Sequence, residues 1–142
     1  MIIRTSKSYC TNSNSKKWNR IMRDYQEDIT LCFTDEEVPF CIYGIKNIYF
    51  KYEIYKNPTE NDLFDLLHEI GHIMTNNTKM KRCEEEFYAT QWALDNSKKY
   101  GVKVSRDRLS EFQNYIWKWR ETGIKLKAKN IPTKQQLKLI YW

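Results

Sequence analysis

Apolar positions along the chain change period twice, from helical to strand-like and back. From Lys16 to about Glu27, Trp18, Ile21, Met22 and Tyr25 recur every three or four residues, the spacing of one amphipathic helix. An arm of residues 1–15, rich in Ser, Thr and Asn and without a period, precedes it, with Ser13 or Ser15 as the expected cap. Three short runs with strand character follow at Ile29–Phe33, Pro39–Tyr43 and Asn47–Tyr52. The acidic break at Asp35-Glu36-Glu37 and the turn at Gly44 predict that they form an antiparallel meander.

The helical period returns after Asn57-Pro58. At roughly 100° per residue, Leu63, Leu66, Leu67, Ile70, Ile73 and Met74 share one side of a helix, while His68 and His72 fall on the other, near Gly71 and Phe64. Thr59 is the expected N-cap, with Asp62 three residues on. A second helix is predicted from about Lys81 to Lys99, closed by Gly101. A third runs from a cap at Ser105 to about Glu121, with Leu109, Phe112, Ile116 and Trp119 in one stripe and Gly123 at its end. Thr133-Lys134-Gln135-Gln136 has the form of a capping box opening a short terminal helix. The expected fold class is therefore α+β: a small antiparallel three-stranded sheet packed with several helices, in a single domain spanning 1–142.

Composition narrows the class. Hydrophobic content of 41% with 15% aromatic residues describes a folded chain, and 142 residues suit one core. Ile2-Ile3 gives way at once to Arg4, which argues against a signal peptide, and no run is long enough to span a membrane. Cys10, Cys32, Cys41 and Cys83 are widely spaced; two lie in strand-like runs and read as small buried hydrophobes, so a reducing cytoplasm is expected. The net charge of +6 is concentrated from Gly101 to Trp142, where ten Lys/Arg oppose three Asp/Glu. This basic helical region could attract nucleic acid, but it carries no recognition motif, and a solvated lysine-rich surface accounts for it as well.

The candidate chemistry lies in His68-Glu69-Ile70-Gly71-His72, which reads H-E-x-x-H. Histidines four apart on a helix project one turn apart from one face and can share a zinc ion, and the glutamate between them can act as general base toward water at the open position. These are the only two histidines in the chain. A third protein ligand is then required, and the run Cys83-Glu84-Glu85-Glu86 offers three carboxylates. Glu86 falls in the middle of the apolar face with Cys83, Phe87, Ala89, Ala93 and Leu94, whereas Glu84 points nearly the opposite way and Glu85 lies at an edge. A carboxylate in a buried stripe is costly unless a cation offsets its desolvation, so Glu86 is the expected ligand ahead of Glu85. Small residues at Ala89, Thr90, Ala93 and Ser97 would let this helix approach the first closely.

His68-Glu69-Ile70-Gly71-His72 followed by Glu86-Phe87-Tyr88-Ala89-Thr90-Gln91-Trp92-Ala93 resembles the ImmA/IrrE metallopeptidases, in which H-E-x-x-H precedes a helix bearing E-x-x-A-N-x-F-A. Thr90 stands where that pattern has Asn and Trp92 where it has Phe. The resemblance covers about Thr59 to Gly101. It implies a zincin-like fold, zinc held by His68, His72 and Glu86, and Glu69 as base. It also implies a cytoplasmic enzyme of phages or mobile elements whose substrate is a protein such as a transcriptional repressor.

Several roles stay open at this level. The donor that stabilises the developing oxyanion is not identified; Tyr88 and Tyr25 are candidates, though both can equally be packing residues. Asp65 either orients a ligand or is a plain acidic residue of the helix's early turns. The strand at Ile48–Tyr52 either binds extended substrate at its edge or is an ordinary core strand. A rival of another class is a non-hydrolytic protein that keeps a zinc-stabilised fold and acts by binding a host or regulatory protein.

Overall fold

A computed structural model describes residues 13–76, 80–125 and 133. The arm before Ser13, Cys10, the basic segment beyond Lys125 and the helix expected after Thr133 lie outside the described residues. Among the described residues, five helices and three strands follow in the order α1 (Ser13–Asp24), β1 (Thr30–Phe33), β2 (Phe40–Ile42), β3 (Asn47–Phe50), α2 (Tyr52–Lys56), α3 (Glu60–Met74), α4 (Arg82–Tyr100) and α5 (Arg106–Lys125). The architecture is mixed α+β, as expected.

The sheet departs from the expected meander. Its order is β1-β3-β2, with β1 parallel to β3 and β2 antiparallel to β3. A meander needs a tight turn after the first strand. Here residues 34–39 are long enough to carry the chain past the central position, and a short 3-10 turn at Tyr43–Ile45 then returns it as β3. Pairing of β1 with β3 runs on past the strands, because Thr34 N donates to Phe50 O at 3.0 Å. β3 is thus central, with Ile48 and Phe50 fully buried, and the core-strand reading holds for residues 48–50. β2 is an edge strand. Tyr52, expected at the end of the third strand, instead opens α2, whose Tyr55 packs against Trp18 and Phe33.

Trp18, Ile21 and Met22 bury the inner stripe of α1, which begins before Lys16 and takes in Ser15 as an interior, buried residue rather than as a cap. α3 starts where Thr59 predicts: Thr59 Oγ1 accepts from Asp62 N at 3.1 Å and Asp62 Oδ2 accepts from Thr59 N at 2.9 Å. The two sides of α3 keep their expected division, with Leu63, Leu66, Leu67 and Ile70 in the core cluster and His68 and His72 outside it, but neither side faces open solvent. Every residue from Leu63 to His72 is buried, so the histidine side is covered as fully as the leucine side, while Met74 is exposed. A helix buried all round is the centre of its fold. α5 also runs beyond its expected end, continuing through Gly123 to Lys125.

Two features set how the neighbouring helices meet α3. Gly71 faces the α4 backbone so closely that a Cβ there would lie 2.7 Å from the Ala89 carbonyl oxygen. Ala89, Thr90, Ala93 and Ser97 are all buried along this seam, as their small size predicts. On the other side, Ser105 caps α5 by accepting from Arg108 N, and it exchanges hydrogen bonds with Asn61 at the start of α3 (3.0 and 3.1 Å). One turn on, Asp65 meets Arg108, and one turn further His68 meets Phe112. The near-constant offset means that α3 and α5 run in the same direction, turn matched to turn.

Replacing Gly71 by Ala should therefore be destabilising. Alanine gains ~1 kcal/mol of helix propensity, but the atom in its way is helix backbone, and overpacking of this kind costs about 1–3 kcal/mol. Chemical denaturation should show a net loss of stability, and metal affinity should fall because the seam also spaces the site.

Candidate metal centre

His68 and His72 stand on successive turns of α3, and Glu86 faces them from the first turns of α4. The distances are 3.0 Å between the two Nε2 atoms, 3.1 Å from His68 Nε2 to Glu86 Oε2 and 3.2 Å from His72 Nε2 to Glu86 Oε2. The three donors form a nearly equilateral triangle, and all three residues are buried. Ligands ~2.0–2.1 Å from a tetrahedral zinc ion are separated by about 3.3 Å, so the spacing fits one ion with little adjustment. Glu85, the alternative ligand, is not among the converging donors. Glu84, expected to point outward, is buried, because its carboxylate turns back to accept from Lys81 N at 3.2 Å and caps α4.

The hydrogen bonds around His68 show what the triangle requires. Thr90 Oγ1 donates to the Glu86 carbonyl at 2.7 Å, so its oxygen is left to accept from Nδ1 of His68 at 3.3 Å. The proton of neutral His68 is thereby held on Nδ1, and the Nε2 lone pair faces a carboxylate oxygen. That contact is repulsive unless positive charge lies between them. Burial pushes His68 down to about 4, so it stays neutral. Burial alone would lower His72, but the contact with Glu86 and the charges of Glu86 and Glu69 outweigh it and raise it. A divalent ion placed among the three donors would supply that positive charge and displace any proton held there.

The triangle lies in the wall of a cleft of about 430 Å³, a size that admits a short peptide stretch rather than a folded domain. Glu69 lines it beside the two histidines, and burial pushes its carboxyl up to about 8, against the pull of His72 and with the repulsion of Glu86 and Asp65. Among the described lining residues, Asp65, Glu69, Glu86 and Glu111 meet Arg82 and Arg108 as cations, so this part of the lining, fully ionised, carries two negative charges in excess. Such a cleft draws in cations. The segment Val38–Cys41, leading into and along edge strand β2, adds a more apolar stretch to the lining.

Several side chains fall differently from their sequence reading. Cys41 is no buried filler: half-buried in the cleft, it places its thiol in hydrogen-bonding reach of Glu69, and burial with the nearby carboxylates pushes that thiol up. Cys32 and Cys83 are buried, and all three described cysteines are free thiols. Tyr25 packs on Trp92 and Tyr88 on Phe87, away from the cleft lining; the tyrosine that lines it is Tyr115. Asp65 binds Arg108. Burial lifts Asp65 to about 6 against the pull of that cation. Arg108, Phe112 and Tyr115 went unrecognised because only the turn-by-turn match of α5 with α3 brings them here.

Comparison with protein-family models, curated proteins and solved structures gives no match. No described helix is long and apolar enough to cross a membrane.

Thr90→Val removes the hydroxyl that orients His68 while keeping its shape. Losing such a supporting contact lowers metal affinity by about 10–100-fold. Competition with a chelator of known affinity should read that loss, with the helical circular-dichroism signal unchanged.

Proposed function

We propose that this chain is a zinc metallopeptidase of the ImmA/IrrE type, with a zincin-like arrangement of its two ligand helices, that hydrolyses a peptide bond in a protein substrate. The supporting observation is the triangle of His68, His72 and Glu86 with Glu69 beside it in one cleft. Two imidazoles and a carboxylate are a donor set suited to zinc and leave a coordination position open. Zinc, when bound, supplies an acidified water and a Lewis acid for the substrate carbonyl. Glu69 accepts the water's proton and later delivers it to the leaving nitrogen. A group with its carboxyl raised by burial suits both steps. Thr90 keeps His68 in the ligand tautomer, and the seam at Gly71 keeps Glu86 within reach. An extended substrate would lie along β2, the strand that borders the cleft, rather than along β3, whose two edges are already paired. By the resemblance, the protein cleaved would be a transcriptional repressor of a phage or mobile element.

Glu69→Gln separates hydrolysis from binding. With casein and a degenerate quenched-peptide library as substrates, the zinc-loaded protein should show cleavage that the variant loses by about 10²–10⁴-fold. Its zinc content should stay at the wild-type value. Undiminished cleavage in the variant would remove Glu69 as base, whereas biological activity retained without cleavage would point to a non-hydrolytic binding protein.

A further inference from the structure

Besides the three donors and Glu69, the cleft holds one polar group whose orientation is fixed from several sides. Arg108 donates to Asp65 Oδ1 through both Nε (2.9 Å) and Nη2 (2.7 Å), and through Nη1 to Glu111. Its guanidinium carbon stands 4.8 Å from the centre of the Phe112 ring, which itself lies 4.5 Å from the His68 ring. Asp65 is buried and sits one turn before Glu69 on α3, its Cβ about 5–6 Å from that of the base, and Arg108 and Glu69 line the same cleft. The guanidinium is close enough for its charge to help keep His68 unprotonated.

A guanidinium carries five N–H donors. Three are engaged in these contacts, leaving one on each Nη of a residue that lines the cleft. The Glu111 partner is an exposed side chain, and such a pair is easily exchanged for another acceptor. Fastening α5 to α3 would need only a single ion pair; two donors on one buried oxygen also fix the plane of the guanidinium. Donors held still in a partly dry site are what charge developing during a reaction requires.

We propose that Arg108, oriented by Asp65, binds the carbonyl oxygen of the peptide bond being cleaved and stabilises the negative charge that develops on it. The inference rests on the metallopeptidase reading above. As the water oxygen bonds to the carbonyl carbon, the π pair of the C=O moves onto its oxygen and the water's proton goes to Glu69. When the C–N bond breaks, that pair returns to re-form the C=O and the nitrogen takes the proton. Arg108 donates to the oxygen while it is charged and is itself unchanged; Asp65 is a positioning residue.

Calorimetry on the zinc-loaded protein tests this without turnover. The probe is N-phosphoryl-leucyl-tryptophan amide, whose tetrahedral anionic phosphoryl group imitates the charged state, with N-acetyl-leucyl-tryptophan amide as the uncharged reference. Arg108→Lys keeps a cation for Asp65 but cannot hold it and the ligand together. Asp65→Asn with Arg108→Met removes both charges, so that no unpaired buried carboxylate endangers the fold. Phosphoryl-probe affinity should fall by about 10–100-fold in the first variant and at least as far in the second. Affinity for the uncharged reference, zinc content and helical signal should not change. Unchanged probe affinity in both variants would overturn the assignment, as would a loss confined to Tyr115→Phe. Probe binding that survives His68→Ala and zinc removal would overturn the metallopeptidase reading as well.

Discussion

The structure turns on how closely α4 can approach α3. At Gly71 the two backbones come so near that no side chain fits between them, and the small residues of α4 continue the seam toward its C-terminal end. Glu86 sits at the start of that seam, and a carboxylate side chain is short. Were the helices spaced by a leucine or isoleucine instead, interaxial distances of about 8–10 Å would widen and the acid would no longer reach both imidazoles. The remaining parts of the fold serve this contact. α1 and the sheet bury the leucine side of α3, and α5 covers the histidine side, so the central helix is held on every face.

From that approach follows an electrostatic demand. Three potential ligands are buried within 3.0–3.2 Å of one another, and the one hydroxyl available to His68 settles its tautomer so that a lone pair confronts a carboxylate. Buried polar groups are arranged this way when something positive completes them. The cleft beyond them has more acids than bases among its described lining residues, and the strongly held cation there, Arg108, is aimed by Asp65 rather than left to neutralise the whole. Supporting contacts around the donors therefore divide into two sets: Thr90 acts on a ligand, and the Asp65–Arg108 pair acts on the space that substrate would occupy.

What was legible in the sequence is what local rules govern. Thr59 and Asp62 mark the start of α3 by a capping box, H-E-x-x-H by its spacing, and Glu86 by standing in the middle of an apolar stripe where an acid needs a reason to be. Gly101 ends α4 in the left-handed conformation expected of it. What was not legible depends on tertiary approach. Nothing local tells that a six-residue connection carries β2 to the far side of β3, that a run of ten residues in α3 is covered on both sides, or that Arg108 lies opposite Asp65. Angles on a helical wheel also mislead near a helix end: Glu84 points outward on the wheel yet folds back to cap its own helix. Thr90 read as a departure from a family pattern, and only its two hydrogen bonds show what it does.

The most direct measurement is X-ray absorption at the zinc edge on protein loaded with one equivalent of zinc. Ligation by His68, His72 and Glu86 predicts one ion per chain with only nitrogen and oxygen neighbours at ~2.0–2.1 Å, including imidazole scattering from two rings. A sulfur neighbour at ~2.3 Å would place Cys41 on the ion and close the position that hydrolysis needs. Failure to bind a stoichiometric ion, or a shell without imidazole, would contradict the account at its root.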